Sequence, residues 1–231
     1  GAIGVALGFF LVVIAGPEGM PYGVIQLLGG LAFSLGLILV VIAGAELFTG
    51  NTLMTTAWID GRSSGGAVLR AWSLAYVGNF AGSLALAFLF LAAGGHLAGE
   101  GQVGAKALET AETKAELSFL SALTSGILAN MLVCLAIWLS LAARTVPGKI
   151  LGIVPPISAF VAAGLEHSVA NMSLIPLGLM IKHFAGTEFW SSAGLAAGDF
   201  AGLTVGGFLW NLVWVTIGNI IGGTVIGLSY W

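Results

Sequence analysis

The chain has 231 residues, 58% of them hydrophobic and 7% charged, with a mean hydropathy of +1.05. Soluble domains carry roughly 25% charged residues, so a water-soluble enzyme or binding module is excluded and an integral membrane protein is indicated. The net charge of −3, without a basic stripe, gives no nucleic-acid signal, and the one cysteine, Cys134, precludes an intrachain disulfide or a thiol metal cluster.

Apolar segments long enough to span, about 20 residues each, fall near 1–16, 24–59, 68–93, 117–143, 149–181 and 204–231, which makes six spans. The first, Gly1 to Gly16, is uncharged and is followed by a polar turn with Pro17, Glu18, Pro21 and Tyr22. It has no basic n-region and no small-residue cleavage site before Pro17, so no cleavable signal peptide is expected. Gly4 and Gly8 have the spacing that lets helices approach closely; in a chain with 36 glycines they are read as ordinary enrichment. Both chain ends fall inside apolar segments, so soluble stretches are expected beyond them.

The second span, Val24 to Trp58, is too long for one crossing at 1.5 Å per residue. A break is expected at Gly44 to Gly50, where Glu46 would otherwise meet lipid. Irregular backbone at that depth is tolerated only if buried in protein or lining a cavity. Phe33 and Leu37, four residues apart, share a helix face ahead of it. The third span contains Gly78-Asn79-Phe80-Ala81-Gly82, and the loop after it, Gly94 to Glu116, is the most polar in the chain, its charges expected to be mostly solvated. The fourth contains Gly126 to Asn130, ends at Arg144, and sets Trp138 at headgroup level. The fifth repeats the anomaly of the second, with Pro155-Pro156 early, Gly164 to Asn171 in the middle and Pro176 late, which rules out one straight helix. The sixth contains Gly218-Asn219-Ile220-Ile221-Gly222 and ends in Tyr230-Trp231 at an interface.

Arg62, Arg70, Arg144 and Lys149 follow spans two and four, against Asp60 alone. Lys106, Lys114 and Lys182 follow spans one, three and five, against Glu18, Glu100, Glu109, Glu112, Glu116, Glu188 and Asp199. The positive-inside rule then puts both termini in the cytoplasm.

Two motifs recur. Gly-x-Glu-x-x-x-x-Asn occurs at 44–51 and 164–171, and Gly-Asn-x-x-Gly in spans three and six. The chain thus reads as a single channel domain, 1–231, built from two copies of three spans, approximately 1–93 and 117–231. Three is odd, so the second copy enters the membrane from the opposite side, and broken helices from both halves meet at the midplane where transport sites form.

His167 is the only histidine inside a span; His96 and His183 lie near loops and are read as solvated. An imidazole at His167 is either a donor that handles a proton when an anion arrives or a structural group packed against a carbonyl. Glu46 and Glu166, with Asn51 and Asn171, are read as support for the breaks, each carboxylate satisfying backbone N–H groups freed there. No HExxH or two-histidine cluster points to a metal, and no cofactor is expected. Thr49 is small, neutral and placed to offer a hydroxyl to a passing solute.

Gly44-Ala45-Glu46-Leu47-Phe48-Thr49 and Glu166-His167-Ser168-Val169-Ala170-Asn171-Met172 resemble the two signature regions of the formate/nitrite transporter family. The resemblance continues through Leu108 to Lys114, Ile127 to Ala136 and Thr216 to Gly223, and so covers essentially the whole chain. It implies an all-α, aquaporin-like protomer of six transmembrane helices with an inverted 3+3 repeat and two broken helices, assembled as a homopentamer in the lipid of a bacterial inner membrane. Each protomer would hold its own pore. By motif position the resemblance assigns the central histidine to His167, the pore threonine to Thr49, the vestibule lysine to Lys114 and a pore asparagine to Asn219. Hydrophobic slits would involve Phe33, Leu37, Phe48 and Phe160. The family's amphipathic N-terminal segment, thought to act in pH gating, and its C-terminal tail have no counterpart in these residues.

The implied function is passage of a small weak-acid anion, formate ahead of nitrite, hydrosulfide and short carboxylates. Lys114 would draw the anion in, and His167 would protonate it or polarise the site, because a neutral acid crosses an apolar slit far more cheaply than an anion. Proton-coupled secondary transport is the nearest alternative. An aquaporin-type pore would normally carry Asn-Pro-Ala at each half-helix, which neither Thr49-Gly50-Asn51 nor Ala170-Asn171-Met172 supplies.

Overall fold

A computed structural model describes residues 1–16 and 19–231. Pro17 and Glu18 of the first polar turn lie outside the described residues. Among those described, all regular structure is helical: α1 (Ala2–Ile14), α2 (Tyr22–Ala43), α3 (Phe48–Asn51), α4 (Met54–Ile59), α5 (Gly65–Ala92), α6 (Gln102–Ala115), α7 (Phe119–Ala142), α8 (Val146–Ala162), α9 (Ser168–Phe184), α10 (Thr187–Ala193) and α11 (Val205–Ser229). Short 3-10 turns lie at Gly95–Leu97 and Ala197–Phe200. Helices α2, α5, α7 and α11, the last together with the turn before it, are long and apolar enough to cross a membrane; α1 and α8 are shorter apolar helices.

The chain changes course in the same way at two places. Helix α2 ends on Gly44 in the left-handed conformation (φ 76°), and α3 starts after Leu47 at φ −123°, ψ 118°. Just past α8, Gly164 has φ 65°, and α9 starts after His167 at φ −126°, ψ 116°. A left-handed residue of this kind is cheap only for glycine, which is why a glycine stands two positions before each glutamate. The prolines act differently: Pro155 and Pro156 are accommodated inside α8 and Pro176 inside α9.

Close helix approach is set by small residues. Helices α7 and α11 are in such contact that a Cβ on Gly222 would overlap the Ile127 carbonyl. Backbone cannot give way as a side-chain tip can, so Gly222→Ala is expected to cost about 1–3 kcal/mol, read as a lower unfolding midpoint in detergent. Gly4 and Gly8, read from sequence as mere enrichment, face α5: a Cβ would stand 2.7 Å from Leu86 Cβ and 3.2 Å from the Phe90 ring. Their spacing marks an actual packing face.

The polar loop after span three is also different from the sequence reading. Residues 102–115 form α6, with Val103, Ala107, Leu108, Ala111 and Ala115 buried on one face. The apolar residues recur at helical spacing and dock on α9, so the segment is an amphipathic helix and not a loop, and none of its charged residues is among those buried on that face. His96 departs from expectation for a related reason. It is buried against Phe189, ring centroids 5.4 Å apart, and burial pushes its imidazole below the ordinary histidine range.

Candidate functional site

Each chain interruption is clamped by an asparagine from a neighbouring helix. Asn79 of α5 accepts from the Phe48 N–H at 2.9 Å and donates to the Glu46 carbonyl at 2.9 Å. Asn219 of α11 accepts from the Ser168 N–H at 2.9 Å and donates to the Glu166 carbonyl at 3.1 Å. The two Gly-Asn-x-x-Gly motifs therefore satisfy equivalent backbone groups of the two Gly-x-Glu motifs. A side-chain amide suits this task because it offers a donor and an acceptor on one planar group.

The carboxylates do something other than expected. Glu46 accepts from Asn51 Nδ2 at 2.7 Å, and Glu166 from Asn171 Nδ2 at 2.6 Å, so they hold side-chain amides, and the freed backbone N–H groups go to Asn79 and Asn219. Among the described residues, Glu166 and not Glu46 is paired with a cation: Lys114 Nζ donates to Glu166 Oε1 at 2.6 Å. Asn211 joins the pieces, accepting from Asn171 Nδ2 at 2.8 Å and donating to the Lys114 carbonyl at 2.8 Å. Side-chain exposure is 16% for Lys114 and 5% for Glu166, so the pair is largely out of water.

A cavity of about 340 Å³ runs alongside this network. His167, Lys114, Glu166, Asn171, Phe33 and Phe160 of the expected set line it, with Lys106, Glu109, Thr110, Thr113 and Gln26 in addition. Phe33 and Phe160 meet edge to face at 5.6 Å, and Phe160 lies 5.9 Å from the His167 ring. Thr49 does not line the cavity but stands next to its wall, bonded to His167. Leu37, Phe48 and Asn219 are buried elsewhere: Phe48 packs on Tyr76 at 4.9 Å, and Asn219 spends its amide on backbone, including the Gly126 carbonyl at 2.8 Å. Glu46 and Asn51 lie away from the cavity.

His167 connects two tasks. Its Nδ1 accepts from the Ala170 N–H at 3.2 Å, capping α9, while Nε2 lies 2.8 Å from Thr49 Oγ1. With the Nδ1 lone pair engaged, the neutral ring carries its proton on Nε2, an assignment that follows from the hydrogen-bond network. Nε2–H then donates to Thr49, whose own hydroxyl proton is left to turn toward a solute. Behind it Asn130 Nδ2 bonds the Thr49 carbonyl at 3.1 Å and the Asn219 carbonyl at 2.6 Å, tying α3, α7 and α11 together. Among the described residues no group of three or more His, Cys, Asp or Glu side chains could hold a metal ion.

Asn79, Asn130 and Asn211 were not singled out as site residues from sequence. Their signal was a polar amide inside an apolar span, since such a group needs a partner there, and for Asn79 also a motif shared with Asn219.

The family model described as formate/nitrite transporter matches residues 1–231. The chain belongs to this family. Formate channel FocA of Escherichia coli (strain K12) is 44% identical over 231 residues, covering 99% of this chain and 81% of that protein. Formate channel FocA of Haemophilus influenzae is 41% identical over 224 residues, covering 96% and 79%. A solved structure described as a pentameric formate channel with formate bound superposes with a TM-score of 0.91 at 41% identity, covering all of this chain and 91% of that one. Membership in the formate/nitrite transporter family, together with the apolar helices, makes this a multi-pass membrane protein whose relatives are channels and transporters, not enzymes.

Proposed function

We propose that the chain is a channel for small monovalent weak-acid anions, formate first, working as one unit of six crossings in an inverted 3+3 repeat. The second and fifth crossings are each interrupted at mid-depth. The observation that carries this reading is the Thr49–His167 contact at 2.8 Å at the wall of a cavity that also receives Lys114. It joins the two interrupted segments at one neutral donor, the Thr49 hydroxyl backed by His167, which suits an anion that must shed water without binding too tightly.

In this reading Lys114 supplies positive potential while Glu166 prevents it from trapping the anion, since the two are paired. The anion then passes Phe33 and Phe160, accepts a hydrogen bond from the Thr49 hydroxyl, which His167 polarises from behind, and exchanges a proton so as to cross apolar surroundings as the neutral acid. Donation from His167 itself would require imidazolium, whose Nδ1–H would expel the Ala170 N–H from its cap. The cap bond therefore favours a fixed, polarising donor, with the proton coming from water. The FocA relatives and the formate-bound pentamer support formate as the solute and a homopentamer as the working assembly. The bacterial FocA relatives support a bacterial inner-membrane location, and the charge asymmetry of the loops supports an orientation with both termini cytoplasmic.

The test is flux into proteoliposomes of formate, nitrite and hydrosulfide between pH 5 and 8, with and without a proton gradient. Rapid, non-saturating formate flux in either direction is expected. Saturating flux locked to a proton gradient would replace the channel with a coupled transporter, and faster passage of nitrite or hydrosulfide would reassign the solute.

A further inference from the structure

The cavity wall formed by α6 is a single stripe: Lys106, Glu109, Thr110, Thr113 and Lys114, at i, i+3, i+4, i+7 and i+8. It extends about 12 Å along the helix axis. Thr110 donates its hydroxyl proton to the Lys106 carbonyl at 2.7 Å and Thr113 donates to the Glu109 carbonyl at 2.9 Å. The donors left for an anion on this stripe are thus the two ammonium groups, and each is matched by a carboxylate. Lys114 is paired with Glu166 at 2.6 Å at the buried end, and Lys106 with Glu109 at 3.0 Å at the open end.

The pairs differ in what else explains them. Glu166 also holds Asn171, so the fold needs it. Glu109 has Lys106 as its only side-chain partner among the described residues, and the side chains of Lys106 and Glu109 are 41% and 57% exposed. An exposed pair of this kind contributes almost nothing to stability, so stability does not account for a carboxylate facing an anion's path.

We propose that Glu109 is a selectivity-setting residue at the cavity mouth, holding Lys106 neutralised so that polyvalent anions are not concentrated ahead of the Thr49–His167 site. The proposal rests on reading the chain as an anion channel. Removing the Glu109 charge leaves the mouth with a net positive charge. For a monovalent anion about 8 Å from that charge in water, the local concentration rises about twofold. A divalent anion gains the square of that factor, about fourfold.

Formate flux into proteoliposomes, at subsaturating concentration and low ionic strength, tests this with wild type, Glu109→Gln, Lys106→Gln and the double variant. Expected are a rise of about twofold for Glu109→Gln, a comparable fall for Lys106→Gln, and near-wild-type flux for the double variant. Sulfate should block Glu109→Gln about four times more effectively than wild type. At about 1 M salt, where the screening length is about 3 Å, all four should converge. Glu188→Gln, an exposed change on α10 away from the cavity, should behave as wild type. No formate flux in wild type would overturn the channel reading. Flux in wild type with four indistinguishable proteins, or an equal shift in Glu188→Gln, would overturn the role of Glu109.

Discussion

Replacing Lys114 with methionine is expected to destabilise the protomer by about 3–5 kcal/mol, the usual cost of leaving one member of a buried ion pair without its partner. Glu166 is the residue left behind. One of its oxygens loses the 2.6 Å bond to Lys114, while the other remains bonded to Asn171, in a wall where the side chain is only 5% exposed. The lost Coulomb attraction is not recovered from water, because little water reaches the carboxylate. Adding Glu166→Gln should restore most of the stability, since a neutral amide at that position leaves no uncompensated charge. Thermal unfolding in detergent, followed by tryptophan fluorescence, separates the outcomes. If the Lys114→Met single variant and the double variant unfold at the same temperature, the pair is not what secures this wall.

That pairing also shows where sequence reasoning reached and where it stopped. Hydropathy was enough for the membrane class, because 58% hydrophobic residues with 7% charged fit no soluble core. The positions where α2 and α8 end were legible too, since over-long apolar runs, glycines and an isolated glutamate each argued against continuous helix there. What was not legible was partnership. Spacing can say that Glu166 needs a partner but not that Lys114, 52 positions earlier, comes back to provide it. The role of α6 was hidden differently: high polarity suggested a solvated loop, whereas Val103, Ala107, Leu108, Ala111 and Ala115 held a helical period in plain view. Polarity was weighed ahead of periodicity, and the cavity wall was missed with it. The resemblance to a family assigned His167, Thr49 and, likewise by motif, Asn219 to a pore. In the structure that asparagine is spent on the Ser168 N–H and on two carbonyls.

Substituting His167 with asparagine is expected to lower formate flux by about one to two orders of magnitude while leaving the fold intact. The reasoning separates the two nitrogens. Asparagine is a good N-cap, so its carbonyl can take over the acceptance of the Ala170 N–H that Nδ1 provides, and α9 keeps its first turn. It is too short to replace Nε2 at 2.8 Å from Thr49 Oγ1, so the donor that polarises the threonine is lost. Leaving the buried Thr49 hydroxyl without its donor costs about 1–3 kcal/mol, which is the source of the expected range. His167→Ala should show the same loss of flux plus about 1 kcal/mol of stability from the missing cap. The shape of the pH profile between pH 5 and 8 decides what His167 contributes. A fixed donor changes the height of the profile but not its shape, because its own protonation state takes no part in the step. A proton relay would lose its titrating group in His167→Asn, and the profile would flatten. A reduced flux with an unaltered profile therefore assigns His167 to polarisation, a flattened profile assigns it to proton transfer, and an unreduced flux would remove the Thr49–His167 pair from the pathway.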